Sequence, residues 1–221
     1  MATKAATGKV NICNKALIHL KQKLITDIDT PEKGNTAENL CAEVYEDERR
    51  ALLRKHPWNF AIRRAQIAAS SPTPDFGFTH QFKLPSDFLR YLSRHQQNGT
   101  RITPTNPTED YQIEDGFYLM STEAPAILRI RYIYDHQDVP KWDSLFVKAL
   151  AINIAVMIAP NFSGITNQTV ARIKAEQKEL VAEARAIDGQ ERPPIRVQHS
   201  RLARARRGGG NVASPFTIFD S

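Results

Sequence analysis

The chain has 221 residues, 41% of them hydrophobic and 24% charged, with a formal net charge of +6. That balance fits a soluble globular protein with one good core and room for a second small lobe. It excludes a collagen-like or wholly disordered chain. The longest apolar run, Leu145 to Ile158, is broken by Lys148 and Asn153, so no run is expected to reach the roughly 18 residues of a membrane span. Met1 to Lys9 is small and polar, without the apolar centre of a signal peptide. Synthesis in the cytoplasm, with no membrane partner, is therefore expected. Cys13 and Cys41 are the only cysteines, and each falls on an apolar helical stripe, which predicts buried free thiols.

In the first helix Val10, Cys13, Leu17, Leu20 and Leu24 recur at steps of three and four. One narrow seam results, with an end expected near Ile25. Asn35, with Glu38 three residues on, opens a second helix as a capping box. Its buried face should hold Ala37, Leu40, Cys41, Val44, Tyr45, Ala51 and Leu52, leaving Asp47, Glu48, Arg49 and Arg50 on the wet side. Pro57 ends it, because the residue before a proline is driven out of helical geometry. Trp58 and Phe60 follow as large apolar anchors.

Past Ala69 the pattern turns from helical to alternating. Short extended runs are predicted over Phe76–Leu84, Phe88–Arg94, Tyr111–Ile113, Phe117–Met120 and Ala126–Tyr134, divided by proline, glycine and asparagine. In the last run Leu128, Ile130, Tyr132 and Tyr134 take one side and Arg129, Arg131 and Ile133 the other, the mark of an antiparallel sheet with one wet face. After Trp142 a third helix, capped by Asp143 or Ser144, is apolar nearly all round and should be central. A fourth carries Val170, Ile173, Gln177, Leu180, Ala184 and Ile187 on its seam and stops at Gly189. Pro57, Trp58, Phe60 and Trp142 are the expected structural anchors. The predicted fold class is mainly α with a β insertion: an antiparallel bundle of about four helices interrupted by a small antiparallel sheet. Residues 1–69 and 141–189 form its two halves, 70–140 the insertion, and 190–221 an extended arm.

The arm holds most of the excess charge. From residue 192 to 221 stand Arg192, Arg196, Arg201, Arg204, Arg206 and Arg207 against one acid, Asp220, so five of the six net positive charges lie there. With Pro193-Pro194 and Gly208-Gly209-Gly210, it buries too little apolar surface to offset its ordering entropy and should take shape on a partner. Two partners suit it. Nucleic-acid phosphates would pair with the arginines. An acidic protein groove would do the same while Phe216, Ile218 and Phe219 fill apolar pockets. The apolar finish favours the protein.

Catalytic signatures are thin. No two of the six histidines stand at the i, i+4 spacing of a helical metal pair. G-x-S-x-G, P-loop and dinucleotide motifs are missing. Asp135-His136-Gln137-Asp138 reads as a polar turn. Glu46-Asp47-Glu48 beside Arg49-Arg50 reads as a solvated, self-compensating face. Neither enzymatic activity, metal nor cofactor is expected.

Several strings in order resemble the head-to-tail adaptor proteins of short-tailed bacteriophages, also called tail tubular protein A or connector proteins. They are Asn14-Lys15-Ala16-Leu17, Ile25-Thr26-Asp27-Ile28-Asp29 and Cys41 to Tyr45. Then come Arg49 to Ala61 with its His56-Pro57-Trp58-Asn59-Phe60, Phe82 to Arg90 with Leu84-Pro85-Ser86-Asp87, and Tyr134 with Asp138-Val139-Pro140. The chain departs from the family at Lys21-Gln22-Lys23, where a glycine is usual. The resemblance, over Lys9 to Ile187, implies a virion structural protein of the tail neck. Twelve copies would form a ring that binds the portal protein, seals the packaged head and supports the tail nozzle (tail tubular protein B). Double-stranded DNA would pass through the lumen. The alternative is a nucleic-acid-binding protein using its basic C-terminal tail.

Overall fold

The computed structural model describes residues 8–32, 34–71, 73–102, 111–120 and 126–191. Two helices, α1 (Gly8–His19) and α2 (Thr36–Lys55), precede seven strands. These are β1 (Ile62–Ala68), β2 (His80–Lys83), β3 (Phe88–His95), β4 (Arg101–Ile102), β5 (Gln112–Glu114), β6 (Phe117–Met120) and β7 (Ile127–Tyr134). Two more helices, α3 (Ser144–Ile158) and α4 (Asn167–Gln190), close the described chain. The residues expected to bind a partner through the arm, Arg192, Arg196, Arg201, Arg204, Arg206, Arg207, Phe216, Ile218 and Phe219, lie outside the described residues.

The architecture is an α+β mix and corrects the expected helical bundle with one small sheet. The strands form two antiparallel sheets, one of four strands in the order β1-β7-β3-β4 and one of three in the order β2-β6-β5. They share a core of their own, built from Phe82, Leu84, Tyr118, Met120, Leu128, Ile130 and Tyr132. The sequence boundary at residue 69 also shifts. Ile62 to Ala68 pair along their whole length with β7, from Ile62 opposite Ile133 to Ala68 opposite Ile127. Arg63-Arg64 interrupts the apolar alternation there, which hides the strand from a periodicity reading.

The helical core surrounds α3, whose Phe146, Leu150, Ile152, Ile154 and Ile158 are fully buried. With the following turn, Ser144–Asn161 reaches a mean hydropathy of 1.6 over 18 residues. That overturns the expectation that no run attains such a length. Just over half of that window (56%) is buried inside the protein, which accounts for the composition. Asp143 is the cap, accepting from the Leu145 and Phe146 N–H groups at 2.7 and 3.2 Å. The buried Asn153 is matched by Gln177 of α4, whose Nε2 donates to its Oδ1 at 2.7 Å. Ile133 and Leu89 join this core, so the helices cover one end of the four-stranded sheet.

The first helix ends six residues earlier than its seam suggests. Gln22 N–H donates to Leu17 C=O at 2.9 Å and Lys21 N–H to Ile18 C=O at 3.0 Å, a Schellman ending with Lys21 in the left-handed region at φ 54°. The loop then folds back because Asn14 holds Ile25 by both backbone groups, at 3.0 and 2.8 Å. Glu38 is buried and serves the same loop. Rather than closing a reciprocal box with Asn35, its carboxylate accepts from the N–H groups of Glu32 at 2.9 Å and Thr26 at 3.3 Å. The Asn35 side chain still caps α2 by accepting from Glu38 N–H.

Candidate functional site

The helix–sheet joint is built on Arg49, which is 1% exposed and so corrects the expectation of a wet position. Its guanidinium donates to Asp135 at 2.5 Å, to the His136 carbonyl at 2.9 Å and to Glu46 at 2.6 and 3.0 Å. Five donors in a rigid fork can satisfy three acceptors at once, which is why arginine suits a buried joint. Lys9 reaches the other Glu46 oxygen at 3.0 Å and ties in α1. His136, at the end of β7, is buried too. Its ring stacks on Tyr134 at 4.9 Å and meets Phe60 edge-on at 5.8 Å. Burial lowers its affinity for a proton. Asp135 and His136 thus form an interior joint, while Gln137 and Asp138 stay exposed as a polar turn.

A second joint gathers on the last turn of α4. Asp188 is 8% exposed and accepts from the Asn59 N–H at 2.7 Å, while its other oxygen lies 2.9 Å from His56 Nε2. The Asn59 amide in turn donates to the Asp188 carbonyl at 2.7 Å. Pro57 breaks α2 between these partners. That break lets Trp58 turn inward, fully buried, with its indole N–H donating to the Leu52 carbonyl at 3.0 Å. Trp58 and Trp142 both meet Phe146 edge-on at 5.2 Å, and Phe60 meets it at 5.0 Å. Three of the four anchors named from sequence, Trp58, Phe60 and Trp142, therefore converge on Phe146 near the start of α3.

The other strings that carried the resemblance occupy joints as well. Asp87 accepts from the Tyr132 hydroxyl at 3.0 Å and pairs with Arg63, whose guanidinium lies 3.8 Å over the Tyr134 ring. Asp27 closes its own loop. The Thr30 hydroxyl and the N–H groups of Asp29 and Ile28 hold its carboxyl down to about 2.

No acid–base or nucleophilic set forms from these groups. Among the described residues no cluster of His, Cys, Asp and Glu could hold a metal ion. Cys13 and Cys41 are buried and free. The Cys41 sulfur beside it, together with burial, pushes the Cys13 thiol far above its usual range, away from nucleophilic use. Of the remaining histidines, His19 lies 3.8 Å from Glu176, His80 bonds Thr79 and His95 bonds Ser93, three separate places. Sequence reasoning missed Arg49, Asp135, Asn59 and Asp188 as joint residues. A charged side chain at an apolar helical spacing, Arg49 four residues after Tyr45, was the available signal. No protein-family model matches the chain, and no curated protein matches it either.

Proposed function

We propose that the protein is a virion structural component, an adaptor ring that joins the portal of a short-tailed phage head to the tail nozzle. Its twelve copies seal the packaged head and form part of the DNA ejection channel. The observation that carries this reading is the clasp of His56 and Asn59 on Asp188. It fixes the last turn of α4 to the helical core three residues before the chain enters its Arg-rich segment. A rigid root is what an arm needs if it is to reach a neighbouring ring with a defined direction. The string that most resembles the connector family, His56-Pro57-Trp58-Asn59-Phe60, is the one that builds this root. The buried polar groups are spent on joints, which suits a part that bears load between rings.

The test mixes the full-length chain with purified portal rings and reads the mixture by electron microscopy. A second ring of density stacked coaxially on the portal is the expected result. Portal rings that remain bare at micromolar protein would overturn the reading.

A further inference from the structure

The helices cover only one end of the four-stranded sheet, and the rest of that sheet face carries an unusual charge pattern. Arg64 stands directly opposite Arg131, Gln66 opposite Arg129, and Arg101 opposite His95. Directly opposed residues share a face, and like charges so placed cost stability. A sheet shaped for stability alone would set acids across from these arginines. Among the described residues no ion pair joins Arg64, Arg101 or Arg129 to a carboxylate. With five of six net charges in the last thirty residues, the rest of the chain carries only +1, so these arginines are segregated rather than typical.

The same face is concave. Arg64, Gln66, His95, Gln97, Arg129 and Arg131 line a hollow of about 380 Å³. A second hollow of about 290 Å³ shares His95 and Arg129 and continues past Arg94 and Ile102. Among the described residues neither lining contains a carboxylate or a Phe, Tyr or Trp side chain, and the one ring present is the His95 imidazole. His95 stiffens the wall by bonding the Ser93 hydroxyl at 2.8 Å and the Gly99 carbonyl at 2.9 Å.

From this arrangement we infer that the open end of the β1-β7-β3-β4 face binds the phosphate backbone of nucleic acid. Guanidinium forks match phosphate oxygens in pairs. Arg64 on β1, Arg129 on β7 and Arg101 on β4 lie on the same face of the four-stranded sheet and can take successive contacts along a groove. A protein partner would call for aromatic anchors and a centre depleted of charge, the opposite of this lining. The His95 imidazole, the one ring in the described lining, is held at both nitrogens by Ser93 and Gly99, so contact with the backbone, indifferent to sequence, is the expected mode. This site is distinct from the Arg-rich arm, and it does not depend on the adaptor reading.

The test measures binding of a fluorescent random-sequence duplex to the full chain between 50 and 200 mM salt. Four proteins are compared: unaltered, Arg64→Gln/Arg129→Gln, Arg101→Gln, and the arm variant Arg204→Gln/Arg206→Gln/Arg207→Gln. Each lost phosphate contact lowers the salt slope by about 0.9, so across this range the sheet variant should lose roughly tenfold less affinity than the unaltered chain. Its binding at 50 mM salt should be weaker, and its thermal midpoint unchanged or higher. Arg101→Gln, at the sheet edge, should lower the slope by about 0.9 and guards against a folding artefact. A single strand that binds as tightly as the duplex would support the same site with the backbone as sole determinant. An unchanged slope and affinity in both sheet variants overturns the inference, as does polyglutamate displacing the duplex at equal charge. Portal docking is scored separately, so its failure leaves this result interpretable.

Discussion

Arg49 on α2 and Asp135 at the end of β7 are 86 residues apart in the chain, and they meet at 2.5 Å with the guanidinium almost wholly out of water. Removing one member of a buried pair strands the other, at a cost of about 3–5 kcal/mol. Arg49→Ala is expected to fall near the lower figure, because Asp135 retains Arg50 at 3.4 Å. Arg50→Ala, on a half-exposed side chain, should cost less than about 1 kcal/mol. Urea unfolding of the two variants checks the contrast, and equal midpoints would contradict it.

The Asp188 clasp should fail locally rather than globally. Asp188→Ala removes the carboxylate to which the part-buried Asn59 N–H donates, a loss of about 1.5–3 kcal/mol for a hydrogen bond to a charged group. It should release the last turn of α4 while Trp58 and Phe146 stay packed. Limited proteolysis is the measurement, with faster cleavage near residues 187–191 expected and an unchanged pattern through α3. Cleavage spread evenly through the chain would mean that the clasp supports the whole core.

Lys21 sits at φ 54°, where a side chain costs about 1 kcal/mol relative to glycine. Lys21→Gly should therefore raise stability by about 0.5–1 kcal/mol, seen as a higher thermal midpoint. A lowered midpoint would mean that the lysine makes compensating contacts.

Acid should weaken the fold in two stages. Burial, the main cause, holds the His136 pKa below its ordinary 6.5, so the unfolded chain takes up that proton first. Its contribution is complete above about pH 6.5 and declines as pH falls from there towards the folded value. His136→Phe should remove this slope. Glu38 acts lower. Chiefly the Glu32 N–H depresses its pKa from 4.5, so its contribution is present above that value and lost as pH falls through the folded one. Denaturant midpoints measured from about pH 8 to pH 3 should show both stages, and a flat profile through the upper one would contradict the role given to His136.

Much of the helical layer was legible because its signals are local. Asn35, Asp143 and Pro57 act on residues close by, and α3, apolar nearly all round, marks itself as central. The strands of the second sheet were expected at Phe76–Leu84, Tyr111–Ile113 and Phe117–Met120, but their pairing into a sheet of their own was not legible, since partners of such short strands are set by tertiary packing. Nor was the split use of one sheet face, where Ile133 enters the helical core while Arg129 and Arg131 on the same side do not. Arg49 misled for a related reason. Its charge suggests water, yet a partner far along the chain makes burial tolerable. The joints around Asp188 and Asp87 were marked in sequence by their strings without any indication of what those strings hold.

The central claim is that the Arg-rich end, rooted by the Asp188 clasp, attaches this protein to a portal. Co-sedimentation of portal rings with the full chain and with a chain ending at Glu191 tests it most directly. The account predicts that the full chain pellets with the rings while the shortened one stays in the supernatant, with the same circular dichroism per residue through the body. Equal pelleting of both would contradict it.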